Sequence, residues 1–366
     1  MLNVSVDEFT LILQSNNKVK DWEVWNQKSL DIIDEIEKKT QFKIIFGECQ
    51  KMISGLPQGY TEGYTYGQNP FYFCIAYHPD HIEMGVIIKF SAYSWAVYQQ
   101  LFLEINQISI NVHSFLQKIQ SKLYSFRLSR IDIAIDFINE NFSVNTIYNQ
   151  LSKGNQIIKN VSGRKNSSSL TAYCKNNIVS TFYIGSKSKN IKALLRVYDK
   201  KKEQEENFGF RYHEAVQFHN WTRFEAVYKG NYAHTLSERL FKIQNDSELR
   251  ELLVSAFTDR YRFFYKKSNQ ETKFTKKMLS LLNQNNYIFS SPSPRDNQLS
   301  QSIKYLVTSS GLFSTIYKIN EIWGQKGLED FIDFLENEYA NYEANEDIQR
   351  WIKKYGNLYK IQGQPF

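Results

Sequence analysis

Asp132 and Asp136 sit in Leu128-Ser129-Arg130-Ile131-Asp132-Ile133-Ala134-Ile135-Asp136-Phe137, the sharpest period-2 pattern in the chain. Alternation puts Ile131, Ile133, Ile135 and Phe137 on one face of a strand and both acids, with Ala134 between them, on the other. At a rise of ~3.3 Å per residue the two carboxylates lie about 13 Å apart along the strand, too far to chelate one ion symmetrically. One of them can still be a ligand if a neighbouring strand supplies a second acid. Mg²⁺ and Mn²⁺ commonly bind through one or two carboxylates plus phosphate oxygens. Glu225, in Arg223-Phe224-Glu225-Ala226-Val227-Tyr228-Lys229, is the natural complement. The plainer alternative is a solvated face of an amphipathic sheet.

Tyr232 follows the Glu225 strand directly, at the start of a helix. A phenol there could attack a phosphodiester if a metal polarised the phosphoryl group. Tyr228 alternates onto the face opposite Glu225 and reads as core. Tyr198 shares a strand with Arg196 and Lys200 at period 2, so it could line the same surface as the acids. Among 24 tyrosines, position alone does not choose between them. Basic residues gather at Lys187, Lys189 and Lys192, at Arg196 and Lys200–Lys202, and between Arg260 and Lys277. The last tract interleaves with Tyr261, Phe263, Phe264 and Tyr265, an arrangement suited to phosphate contact and base stacking, or else a solvated helix flank. The six histidines form no H-x-H or H-E-x-x-H pair, and no P-loop is present, so a zinc enzyme and an ATPase are both disfavoured.

The elements that must position these residues read as α+β with a largely antiparallel sheet, because strands and helices alternate without a tight βαβ rhythm. Strands are expected at 5–13, 71–76, 85–90, 128–137, 180–185, 193–198 and 222–229. Helices are expected after Asp21 and over 112–122, 144–151 and 232–241, with a helical pattern from Leu249 onward. Residues 1–280 form the main domain, 281–300 an Asn-, Ser- and Pro-rich linker, and 301–366 a small helical region. With 366 residues the chain can bury a core without staples, and Cys49, Cys74 and Cys174 stand too far apart for a disulfide framework or zinc site. No apolar run approaches the roughly 20 residues of a membrane span, so the expected location is the cytoplasm. The formal charge of +7 and an aromatic content of 15% fit a nucleic-acid partner.

Taken in order, several motifs resemble the Rep_trans family, the initiators of rolling-circle plasmids and related relaxases of integrative conjugative elements in Gram-positive bacteria. They are Met84-Gly85-Val86-Ile87-Ile88, then Ser129 to Asp136, then Thr181-Phe182-Tyr183-Ile184-Gly185-Ser186-Lys187-Ser188 leading into Leu195-Arg196-Val197-Tyr198-Asp199-Lys200, and last Arg223-Phe224-Glu225. The resemblance spans roughly residues 5–265. It implies a metal-dependent strand transferase that nicks origin DNA, stays joined to the 5′ phosphate through a tyrosine, and can rejoin the strand. It makes Asp132 and Glu225 metal ligands for Mg²⁺ or Mn²⁺, Asp136 a further or alternative ligand, and Tyr232 the nucleophile, with Tyr228 in competition. Arg196 and Lys200 become phosphate contacts, with Lys187, Lys189 and Arg223 in the same DNA-binding set. Expected partners are double-stranded origin DNA, the nicked single strand and a host helicase; a homodimer is allowed, and no membrane is involved. A conjugative relaxase and a non-catalytic origin-binding protein remain the alternatives.

Overall fold

The computed structural model describes all residues except 18–20, 68–70, 167, 187–191, 283–298, 309, 345, 363 and 365–366. Among these the strands are β1 (Leu2–Ser15), β2 (Cys49–Lys51), β3 (Glu62–Tyr66), β4 (Phe73–Tyr77), β5 (Val86–Phe90), β6 (Tyr124–Ile138), β7 (Gln156–Lys159), β8 (Leu170–Lys175), β9 (Ile178–Ile184), β10 (Ala193–Asp199), β11 (Trp221–Lys229) and β12 (Arg262–Tyr265). Ten of them make one sheet in the order β2-β3-β4-β5-β1-β6-β11-β10-β9-β8, every neighbouring pair antiparallel. The expected α+β class with an antiparallel sheet is what the chain forms.

One face of this sheet is apolar for the reason the alternation gives. Phe9, Leu11, Ile131, Ile133, Ile135, Phe137, Phe224 and Tyr228 are buried under helices. Helix Trp22–Thr40 contributes Trp25, Ile32, Ile33 and Ile36, and its N-cap Asp21 accepts from the Glu23 backbone N–H. Helix Ala92–Asn106 contributes Trp95 and Tyr98. Phe9 sits at the middle of the cluster, its ring centroid 4.9 Å from Phe90, 4.8 Å from Trp95 and 5.7 Å from Phe115. Truncating such a ring to alanine costs about 3–5 kcal/mol.

Two expectations need correction. The charged stretch after Tyr198 is a helix, Lys200–Glu206, capped by Asp199, whose Oδ1 accepts from the Lys202 backbone N–H, and laced by Lys201–Glu205 at i,i+4. The helical pattern from Leu249 is interrupted by β12, which pairs with β7 because Phe263 alternates inward while Arg262 and Phe264 do not.

The chain divides into two units, Met1–Ser291 and Pro292–Phe366. The second holds helices Leu299–Thr308, Leu312–Ala340 and Glu346–Gln362; Leu312–Ala340 breaks at Gly324, where φ is 68°. The expected linker at 281–300 lies almost wholly outside the described residues.

Candidate active site

The sheet's other face carries the charge. Register fixes who sits beside whom. On it, Asp136 of β6 lies opposite Arg223 of β11, which lies opposite Tyr198 of β10. One pleat along, Ala134 lies opposite Glu225, which lies opposite Arg196. One pleat further, Asp132 lies opposite Val227 on one side and Glu8 of β1 on the other. Asp132 and Glu225 are therefore diagonal neighbours, at the ~7–8 Å typical of such positions. Small Ala134 keeps the space between them open.

Strand β1 adds a pair that alternation does not reveal. Its register slips between Val6 and Glu8, so Asp7 is the extra residue of a β-bulge and both Asp7 and Glu8 reach the polar face. Asp7 Oδ1 accepts from Arg223 Nη1 at 2.5 Å, and Glu8 pairs with Arg130 Nη1.

Each carboxylate has a defined partner. Arg130 forks onto Asp132, with Nε to Oδ1 at 2.9 Å and Nη2 to Oδ2 at 2.6 Å. Arg223 does the same to Asp136 at 2.7 and 2.8 Å. Glu225 Oε2 accepts from the Tyr198 hydroxyl at 3.1 Å, and Arg196 Nη1 stands 3.8 Å from Oε1. The Arg196 guanidinium also lies over the Tyr198 ring, 3.9 Å from its centroid. Its Nε–H is buried and finds no acceptor among the described residues, while a third of the side chain stays exposed.

Five carboxylates against three guanidiniums leave excess negative charge, and proton affinities register it. Burial pushes Asp132 well above the ordinary carboxylate range despite Arg130, with Glu225 and Glu8 adding to the rise. Burial also raises Glu225, reinforced by Asp7 and opposed by Arg196 and Arg223. Asp136 is the exception: burial would raise it, but Arg223 outweighs that and holds it low. Burial and the Glu225 charge keep the Tyr198 phenol protonated.

The sequence expectations divide accordingly. Asp132, Asp136, Glu225 and Arg196 share one face, with Tyr198 among them. Tyr232 does not join them. Gly230, at φ +58°, turns the chain from β11 into helix Asn231–Leu240, which packs over the apolar face. There the Tyr232 ring meets Tyr228 at 5.9 Å and its hydroxyl accepts from Arg260 Nη1. Tyr228 is core as expected, its hydroxyl donating to Ala256 O. Arg223, expected to touch DNA, is only 2% exposed between Asp136 and Asp7. Lys200 is buried against Glu203 at 2.9 Å. Lys187 and Lys189 lie outside the described residues. In the basic–aromatic tract, Tyr261 and Phe263 are core and leave no base-stacking row.

The family model described as replication initiation factor, Rep_trans, matches residues 126–337, more than half of the chain. No curated protein matches the chain. A solved structure titled as a rolling circle replication initiator protein from Geobacillus stearothermophilus aligns with TM-score 0.53 at 15% identity. The alignment covers 76% of this chain and 96% of that one, and the likeness is one of fold.

Proposed function

The chain belongs to the Rep_trans family of replication initiation factors, and from that premise we propose that it initiates rolling-circle replication by nicking one strand of origin DNA through a tyrosine and later rejoining it. The observation that carries this reading is the hydrogen bond from the Tyr198 hydroxyl to Glu225, beside Arg196. It favours Tyr198 over Tyr232, whose hydroxyl lies on the other side of the sheet.

Nucleophile and proton acceptor are thus already in contact. As the phenol oxygen attacks phosphorus, its proton passes to Glu225, which burial has made more basic than an ordinary carboxylate. An Oη–P bond forms, the P–O3′ bond breaks, and the 3′-oxygen leaves, taking a proton from solvent to become a free 3′-OH. The 5′ phosphate stays on the tyrosine, so the bond's energy is kept for rejoining without ATP. Arg196 has an unmatched buried N–H and an exposed edge, which suit the phosphoryl oxygens and the charge that develops on them. With no P-loop in the sequence, strand separation falls to a separate helicase.

Mg²⁺ or Mn²⁺ fits this face in charge but not in coordination. Among the described residues no three ligand-type side chains converge on one point. Both oxygens of Asp136 and both of Asp132 are held by arginines. No step is routed through an ion here. For Asp132 and Glu225 to serve as ligands, Arg130 must first release Asp132.

The test is a denaturing gel of protein incubated with an origin oligonucleotide labelled on the 5′-phosphate side of the nick. Wild type and Tyr232→Phe should each give a covalent band, and Tyr198→Phe none. An adduct from Tyr198→Phe that is missing from Tyr232→Phe would reverse the assignment.

A further inference from the structure

Beyond Arg196 the same sheet face continues onto β9 and β8, and there it turns from charged to aromatic. Tyr183 lies opposite Arg196, and Thr181 lies opposite Tyr198. On the next strand Thr171 lies opposite Tyr183, and Tyr173 opposite Thr181. Directly opposed residues share a face, so Tyr183 and Tyr173 flank the Tyr198–Arg196 pair at one and two strand spacings, the farther about 10 Å away.

These rings are not core. Tyr173 is 60% exposed, on β8 at the edge of the sheet. Tyr183 is half-buried, and the two rings meet edge-to-face, centroids 5.9 Å apart at 79°. That contact holds each ring in place by its rim and leaves ring faces toward solvent.

We infer that Tyr173 and Tyr183 form a stacking platform for unpaired bases of the single strand next to the scissile phosphate. This deepens the nicking reading and rests on it for the position of the phosphate. With that phosphate on Arg196, the neighbouring nucleotide reaches outward along the row that these rings occupy. Stacking on an aromatic ring needs a base whose face is free, which a duplex does not offer, and it is tolerant of sequence because every base has a π-face. The platform therefore selects melted over paired DNA at the site, without reading the origin sequence.

The probe is a short oligodeoxythymidylate, plain for affinity and 5-iodouracil-substituted for photocrosslinking, used with the full chain. Wild type should crosslink through Tyr173 or Tyr183, located by mass spectrometry of the peptides. The Tyr173→Ala, Tyr183→Leu double variant should bind the oligonucleotide roughly 5- to 150-fold more weakly, the range that loss of a stacked base gives. Its affinity for duplex DNA, which rests on lysine and arginine contacts, should stay within about twofold. Tyr173→Trp, which enlarges the ring at an exposed position, should bind at least as tightly as wild type. An unchanged oligonucleotide affinity in a double variant that melts normally would overturn the platform, as would crosslinks confined to other peptides. Tyr198→Phe separates the two ideas. If it keeps oligonucleotide binding but still forms the covalent adduct, the nucleophile is wrong and the platform stands.

Discussion

Arg223 grips Asp136 from directly across the β6–β11 pair, Nε and Nη2 each taking one carboxylate oxygen at 2.7 and 2.8 Å, while its third arm reaches Asp7 at 2.5 Å. Both Arg223 and Asp136 are removed from water. A buried ion pair of this kind need not beat an apolar replacement, but removing one partner strands the other charge. Asp136→Ala should therefore cost about 3–5 kcal/mol in urea unfolding. The Asp136→Ala, Arg223→Ala double variant should cost well under the sum of the two singles. Additive losses would mean that the pair does not act as a unit.

The remaining acids push the other way. Asp132 and Glu225 hold protons more tightly in the folded chain than an exposed carboxyl does. The stability linked to each is fully present below about pH 4 and is lost as pH rises through its raised folded value. At neutral pH their ionisation costs stability. For Asp136, held low, the sign reverses: its stability is present above about pH 4 and is lost as pH falls through the folded value. Asp132→Asn and Glu225→Gln should thus raise the neutral-pH melting temperature, by roughly 2–4 °C for each kcal/mol recovered, while Asp136→Asn lowers it. Calorimetry at pH 7 gives the signs directly, and a lower melting temperature for Asp132→Asn would contradict this account.

Much of this face was legible in the sequence because it follows from period 2. Asp132, Asp136, Glu225 and Arg196 each alternate against a run of apolar neighbours, and their strands proved adjacent. Asp7 and Glu8 were not legible, since consecutive residues on a strand point to opposite faces unless a bulge intervenes, and the bulge depends on the partner strand's register. Tyr232 was misjudged for a related reason. Nearness in sequence to the Glu225 strand says nothing about which side of the sheet the next helix covers, and the turn at Gly230 takes it to the apolar side. Tyr198 carried the right parity throughout. What the sequence lacked was the pairing of β10 with β11 that puts its strand beside Glu225.

The same register puts cations in a row along the rim of the site. Lys89 of β5 and Arg130 of β6 both lie opposite Thr10, and Lys229 of β11 lies opposite Arg130. Lys192 is exposed nearby, its carbonyl accepting from the Lys229 backbone N–H. If about six phosphates are neutralised in all, log K for duplex binding should fall with log salt at a slope near −5. Replacing Lys89, Lys192 and Lys229 by Gln should make the slope shallower by up to about 3. An unchanged slope would move the DNA path off this rim.

Glu225→Gln probes the proton transfer itself. The amide keeps the size of the carboxylate and an oxygen for the Tyr198 hydroxyl to donate to, but it cannot take the proton. Adduct formation should fall by about 10²–10⁴, the range that a positioned general base contributes, while DNA affinity and fold persist. The pH profile separates this role from a merely structural one. Wild-type cleavage requires ionised Glu225, so its rate should fall as pH drops through that group's raised value, placing an acid limb above the ordinary glutamate value of about 4.3. In Glu225→Gln the residual rate should lose that limb. The variant should also melt higher than wild type, so a slower enzyme that is more stable cannot be explained by damage to the fold. If the limb survives unchanged in Glu225→Gln, the proton from Tyr198 goes elsewhere, and Asp7, the carboxylate that most raises Glu225, is the next residue to replace.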